Sequence, residues 1–139
     1  MKNNLKVVLD TNIILSSISS KSPYKIIFDK IFAGELDVFV TTDILLEYEE
    51  KIQQNFNKHL AEITIQSLEI LDNVFYTDAH FQFKLIQNDE DDNKFVDCAI
   101  ASNVHYLVSN DKHFSILKTI DFPKVNIIKM NEFIKLLNQ

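Results

Sequence analysis

Short apolar runs rich in β-branched residues alternate along this chain with helix-spaced patterns, and that alternation limits its possible folds more than any other feature. Leu5 to Leu9 (LKVVL) reads as a buried strand, closed by Asp10. Ser22 and Pro23 resemble an N-cap with proline at the first helical position. Ile26, Ile27, Ile31 and Phe32 follow at helical spacing, and the pattern stops near Gly34. Asp37 to Thr41 is a second strand, and Thr42 or Asp43 caps a helix carrying Leu45, Leu46 and Tyr48. After a polar break at Asn55 to Lys58, Leu60 to Leu71 reads as an amphipathic helix with Ile63, Leu68 and Leu71 toward the core. Val74 to Tyr76 is a brief strand. The acidic run NDEDDN at 88–93 precedes a helical pattern of Phe95, Val96, Ala99 and Ile100. Tyr106 to Ser109 (YLVS) is a strand ending beside Asp111; Val125 to Ile128 is the last strand, and Glu132 to Leu137 a closing helix. Strands alternating with helices predict an α/β fold, a parallel sheet covered on both faces and joined by right-handed crossovers. Ligands of such sheets bind outside the carboxyl ends of the strands.

Composition narrows the class further. The chain has 139 residues, which predicts a single domain over 1–139 able to bury a core without disulfides. One glycine and two prolines argue against turn-dense all-β architectures. The lone cysteine, Cys98, excludes an internal disulfide and a cysteine-based zinc site, and it reads as core. The four histidines, 59, 80, 105 and 113, show no metal-ligand spacing and read as surface or loop residues. No apolar stretch is long enough to span a bilayer, and the expected location is the cytoplasm. The formal net charge is -6, and every basic side chain is a lysine. Taken alone, that argues against a conventional nucleic-acid binder with a basic face. Divalent cations held by clustered carboxylates reverse that local field.

The carboxylates fall where such a cluster is expected. Asp10 closes the first strand and Asp111 follows YLVS, so both belong at the carboxyl edge of the sheet. Asp92 opens a helix beside that edge, and Glu47 lies one turn into the helix after the second strand. Each has a plainer reading: Asp10 and Asp92 as helix caps, Glu47 as part of a solvated face, Asp111 as a turn residue. Their joint placement points instead to one crevice, whose hard oxygen ligands suit Mg²⁺ or Mn²⁺ rather than Zn²⁺. Asp91 is an alternative to Asp92. Asp97 lies five residues beyond Asp92, about 140° round a helix, and is expected to orient the cluster from behind or to face the surface.

Four segments in order resemble the PIN-domain family, and more closely its small prokaryotic members of the VapC-like toxin type. They are Val7-Val8-Leu9-Asp10-Thr11-Asn12, Ile44-Leu45-Leu46-Glu47-Tyr48, Asp92-Asn93-Lys94-Phe95 and Tyr106-Leu107-Val108-Ser109-Asn110-Asp111. The resemblance runs from about residue 6 to 128. It implies a three-layer α/β/α sandwich around a parallel sheet and a Mg²⁺- or Mn²⁺-dependent endoribonuclease. Asp10, Glu47, Asp92 and Asp111 then match the catalytic acids, with Asp10, Asp92 and Asp111 holding metal. Asn12 and Ser109 are residues that orient those acids. In a chain without arginine, Lys94 and Lys112 are the candidates for gripping substrate, as point charges rather than forks. The family also implies single-stranded RNA as substrate, an antitoxin partner and a homodimer. A housekeeping RNA-processing nuclease and a non-catalytic RNA- or protein-binding PIN domain remain open alternatives. A phospho-acceptor receiver domain needs an acidic pair after the first strand, and a dehalogenase-type phosphatase needs D-x-D; DTN satisfies neither.

Overall fold

A computed structural model of the chain describes residues 3–79, 81–86 and 90–139. His80 and the start of the acidic run, Asn88 and Asp89, lie outside the described residues. In chain order the elements are β1 (Leu5–Leu9), α1 (Thr11–Ser17), α2 (Ile26–Phe32), β2 (Leu36–Val40), α3 (Thr42–Asn55), α4 (Lys58–Glu69) and β3 (Val74–Tyr76). A 3-10 turn at Glu90–Asp92 leads into α5 (Asn93–Ser102) and β4 (Tyr106–Val108). A 3-10 segment at Lys112–Thr119, β5 (Ile127–Ile128) and α6 (Met130–Leu137) complete the order.

The strands form one sheet in the order β3-β2-β1-β4-β5, with every pairing parallel. This is the expected α/β architecture. Val7, Val8 and Leu9 are all fully buried, and successive strand residues point to opposite faces. Both faces of β1 are therefore covered, as a parallel sheet requires. The core continues through Ile13, Ile14, Ile27 and Ile31 on one set of helices and Ile44, Tyr48, Ile52, Phe95 and Val96 on another. No helix among the described residues is long and apolar enough to cross a membrane.

Local chemistry sets the boundaries. Thr41, not Thr42 or Asp43, caps α3: its hydroxyl accepts the Ile44 N–H at 3.2 Å. Asn57 does the same for α4, accepting from Leu60 at 2.7 Å. At the end of α2, Gly34 takes φ 73°, the Glu35 N–H reaches the Lys30 carbonyl and the Gly34 N–H reaches Ile31. That pair of bonds is a Schellman closure, which needs a left-handed residue.

Other expectations move. α2 begins at Ile26 rather than Pro23, because Ser22 accepts the Tyr24 and Lys25 N–H groups and makes a separate turn. On α4 the core side is carried by Ala61, Ile65 and Leu68, while Ile63 is exposed and Leu71 lies beyond the helix. β4 ends at Val108, one residue before Ser109. β5 shortens to Ile127–Ile128.

Candidate active site

The sheet order fixes where a ligand can sit. From β1 the chain moves outward through β2 and β3, then returns to place β4 on the other side of β1. The gap beyond the carboxyl ends of β1 and β4 is thus the topological switch point. Leu9 pairs in register with Val108, so Asp10 and Ser109 leave the sheet side by side. The Asp10 N–H donates to the Val108 carbonyl at 3.0 Å, which pins it there.

Asp10 stands at the N-cap of α1, yet its carboxylate makes no capping bond. It accepts the Ser109 hydroxyl at 2.7 Å instead. Ser109 also accepts the Asp111 N–H at 2.9 Å. One buried hydroxyl therefore straps two acids together. Burial pushes the Asp10 carboxyl above the usual carboxylate range. The Ser109 hydroxyl and the Thr11 N–H pull it down, while Asp111 and Glu47 push it up. The two repulsions place both acids within electrostatic reach of Asp10.

Glu47 projects from the second turn of α3 toward α1 and α5. The Thr11 hydroxyl donates to its Oε2. Lys94 on α5 brings its ammonium to 2.5 Å from Oε1. The next residue on α3, Tyr48, is fully buried and donates its hydroxyl to the Leu9 carbonyl, tying α3 to the end of β1. Burial holds that phenol well above its ordinary pKa, so the hydroxyl stays a donor.

Asp92 ends the 3-10 turn and enters α5, where its side chain makes no capping bond. Its Oδ2 is 3.6 Å from the imidazole Nδ1 of His113. Asp111 caps the second 3-10 segment: Oδ1 accepts the His113 N–H at 2.9 Å and lies 3.4 Å from Nδ1. Donor atoms of Asp92, Asp111 and His113 all lie within 4.8 Å of one another.

The structure thus gathers Asp10, Glu47, Asp92 and Asp111 at one end of the sheet, with Ser109 behind them. Asn12 is exposed on α1, and Thr11 occupies the supporting place instead. Asp97 is buried, and the acids are not among its described contacts. It accepts the Phe83 N–H at 3.1 Å and lines a cleft of about 760 Å³ with Thr41, Asp43, Thr77 and Lys94. Burial raises its pKa too. Lys94 is held by Glu47, and Lys112 is exposed beside Asp111.

Sequence reasoning missed two residues. Sequence reading gives His113 no role, because it has no partner histidine at ligand spacing; the signal is its position two residues after Asp111, where an Asx turn folds the imidazole back. Asn93 enters the sequence reading only as part of a motif. Its amide pairs with both the N–H and the carbonyl of Ile86, at 3.0 and 2.8 Å, and clamps the preceding segment to α5.

The sequence model for the PIN domain matches residues 6–113. No curated protein is a significant match. Among solved structures, the chain resembles VapBC2 from Rickettsia felis, bound to a DNA fragment from their promoter. The TM-score is 0.62 at 17% identity, covering 90% of this chain and 98% of that one. DNA-bound VapBC from Salmonella typhimurium gives 0.58 at 15% identity, covering 91% and 98%. Mycobacterium tuberculosis VapC20, described as a Sarcin-Ricin loop cleaving toxin, gives 0.57 at 11% identity, covering 78% and 92%. At these identities the shared property is the fold.

Proposed function

The chain belongs to the PIN-domain family, and from that premise we propose that it is a divalent-metal-dependent endoribonuclease, the toxin of a toxin–antitoxin pair. The observation that carries the reading is the convergence of Asp10, Glu47, Asp92 and Asp111 at the switch point, with Asp10 and Asp111 strapped through Ser109. A buried carboxylate facing two others is an unfavourable arrangement unless a cation joins it.

The donor set fits Mg²⁺ or Mn²⁺. Asp92, Asp111 and His113 offer oxygen and nitrogen donors within 4.8 Å, and Asp10 adds a buried carboxylate beside them. Asp10, Asp92 and Asp111 are assigned as the metal-holding acids. A divalent ion there supplies Lewis-acid stabilisation of a phosphodiester and lowers the pKa of water. Glu47 is assigned to orient the attacking water, with Thr11 and Lys94 fixing its two oxygens. Ser109 holds Asp10 in line. Lys94 and Lys112 flank the acids and serve as contacts for backbone phosphates, with a shallow salt dependence because so few lysines lie near.

Single-stranded RNA as substrate, cytoplasmic action, a homodimer and an antitoxin partner complete the reading. Two of the similar structures are VapBC complexes on DNA, which supports an antitoxin partner here. The test uses labelled RNA and Mn²⁺, with and without EDTA, on wild type and Asp10→Asn. Cleavage should require both the metal and Asp10, and fall by orders of magnitude in the variant. Equal cleavage by both proteins sinks the assignment.

A further inference from the structure

Among the described residues His113 brings the one imidazole into the acid cluster, and its placement bears on which ion the cluster selects. Asp111 sets that placement. By accepting the His113 N–H at 2.9 Å, its Oδ1 turns the chain so that the imidazole doubles back over the carboxylates. Nδ1 then stands 3.4 Å from Asp111 Oδ1 and 3.6 Å from Asp92 Oδ2. Charge-assisted hydrogen bonds between nitrogen and carboxylate are shorter, about 2.7–2.9 Å. Donors sharing one ion at ~2.1 Å stand roughly 3 Å apart at right angles and roughly 4.2 Å apart when opposed. The two observed spacings fall between those limits, and the donor atoms of Asp92, Asp111 and His113 all lie within 4.8 Å of one another. The imidazole is also reachable, since the His113 side chain is 41% exposed while Asp92 beneath it is 12% exposed.

We propose that His113 is a metal ligand, and that its nitrogen biases the site toward a first-row transition-metal dication such as Mn²⁺ over Mg²⁺. The proposal rests on the metal-dependent reading above and specifies it. Mg²⁺ is a hard ion that takes oxygen donors and keeps much of its water. Imidazole nitrogen is a softer donor, which first-row transition metals accept and Mg²⁺ accepts poorly. Three carboxylates and an imidazole therefore discriminate where four carboxylates discriminate less. Replacing the imidazole by a carboxylate keeps a ligand and removes the bias, so His113→Asp separates selectivity from mere binding.

Two measurements test this on the whole chain. Pulsed electron paramagnetic resonance of Mn²⁺ bound to wild type should show coupling to a nitrogen nucleus. The coupling should change isotope pattern in protein labelled with ¹⁵N-histidine and vanish in His113→Ala. Calorimetric titrations with Mn²⁺ and Mg²⁺ should give a Mn²⁺-over-Mg²⁺ preference that falls by about tenfold or more in His113→Asp. The labelled wild type needs no substitution, so the result does not depend on a variant folding. Mn²⁺ bound with no histidine coupling, or an unchanged preference in His113→Asp, overturns the role of His113 and leaves the metal-dependent nuclease standing. No Mn²⁺ binding at millimolar concentration overturns both.

Discussion

Asp10 is the residue at which function and stability conflict most openly. Its carboxyl is buried, and its pKa is raised above the ordinary 3.8, first by burial and then by Asp111 and Glu47. A group whose folded pKa is raised holds its proton more tightly in the folded state. Its contribution to stability is fully present below the unfolded value and is lost as pH rises through the folded one. Asp97 acts in the same direction, through its own burial. In EDTA near neutral pH, Asp10→Asn should therefore stabilise the protein by roughly 0.5–2 kcal/mol while abolishing cleavage. The gain should shrink as pH falls through the raised folded value and vanish below the unfolded value of 3.8. Thermal melts across that range check it; a variant less stable than wild type at neutral pH contradicts it. Cys98 makes a second residue-scale prediction. Burial, its largest cause, pushes the thiol pKa up to about 11, so it should resist a thiol reagent at mildly alkaline pH until the protein unfolds. Modification at the rate of a free thiol in native protein contradicts that.

At the scale of elements, the acids sit where strand ends and helix starts put them, and that much was legible in the sequence. An apolar strand run with an Asp at or just past its end needs no partner to be recognised, so Asp10 and Asp111 can be placed from the residues alone. Glu47 followed because a helix start fixes the side-chain direction one turn later. What escaped were features set by turns. The fold-back of His113 depends on a hydrogen bond from its own backbone to Asp111, which no periodicity reports. The late start of α2 depends on Ser22 closing a turn first, and the exposure of Ile63 depends on which face α4 presents to α3. Asn12 and Thr11 exchange roles because one step along α1 turns a side chain from the solvent to Glu47. The closure of α2 gives the element-scale prediction. A Cβ on Gly34 meets nothing within 4 Å, so only its left-handed backbone resists substitution. Gly34→Ala should cost ~1 kcal/mol of stability and leave cleavage unchanged. Denaturant unfolding measures it; no loss contradicts the Schellman assignment.

For the whole molecule, the decisive quantity under the proposed function is the free energy that a cation would return to a site built from like charges. A chain of net charge -6, with no arginine, has little basic surface to offer a polyanion. Under the proposed function, its approach to RNA would depend on a bound ion and a few lysines, Lys94 and Lys112 among them. Metal that binds only the folded state raises stability by mass action, ~2.7 kcal/mol at a hundredfold excess over Kd. Melts with Mn²⁺ should therefore shift upward relative to EDTA, and the shift should be much smaller in Asp10→Asn. A full shift surviving in that variant moves the ion away from Asp10. The most direct test of the central claim is a crystal soaked in Mn²⁺, with the ion located by its anomalous scattering. Density is expected at the switch point between β1 and β4, within coordination distance of the Asp10, Asp92 and Asp111 carboxylates. Density on another face of the protein, or none at the four acids, contradicts it.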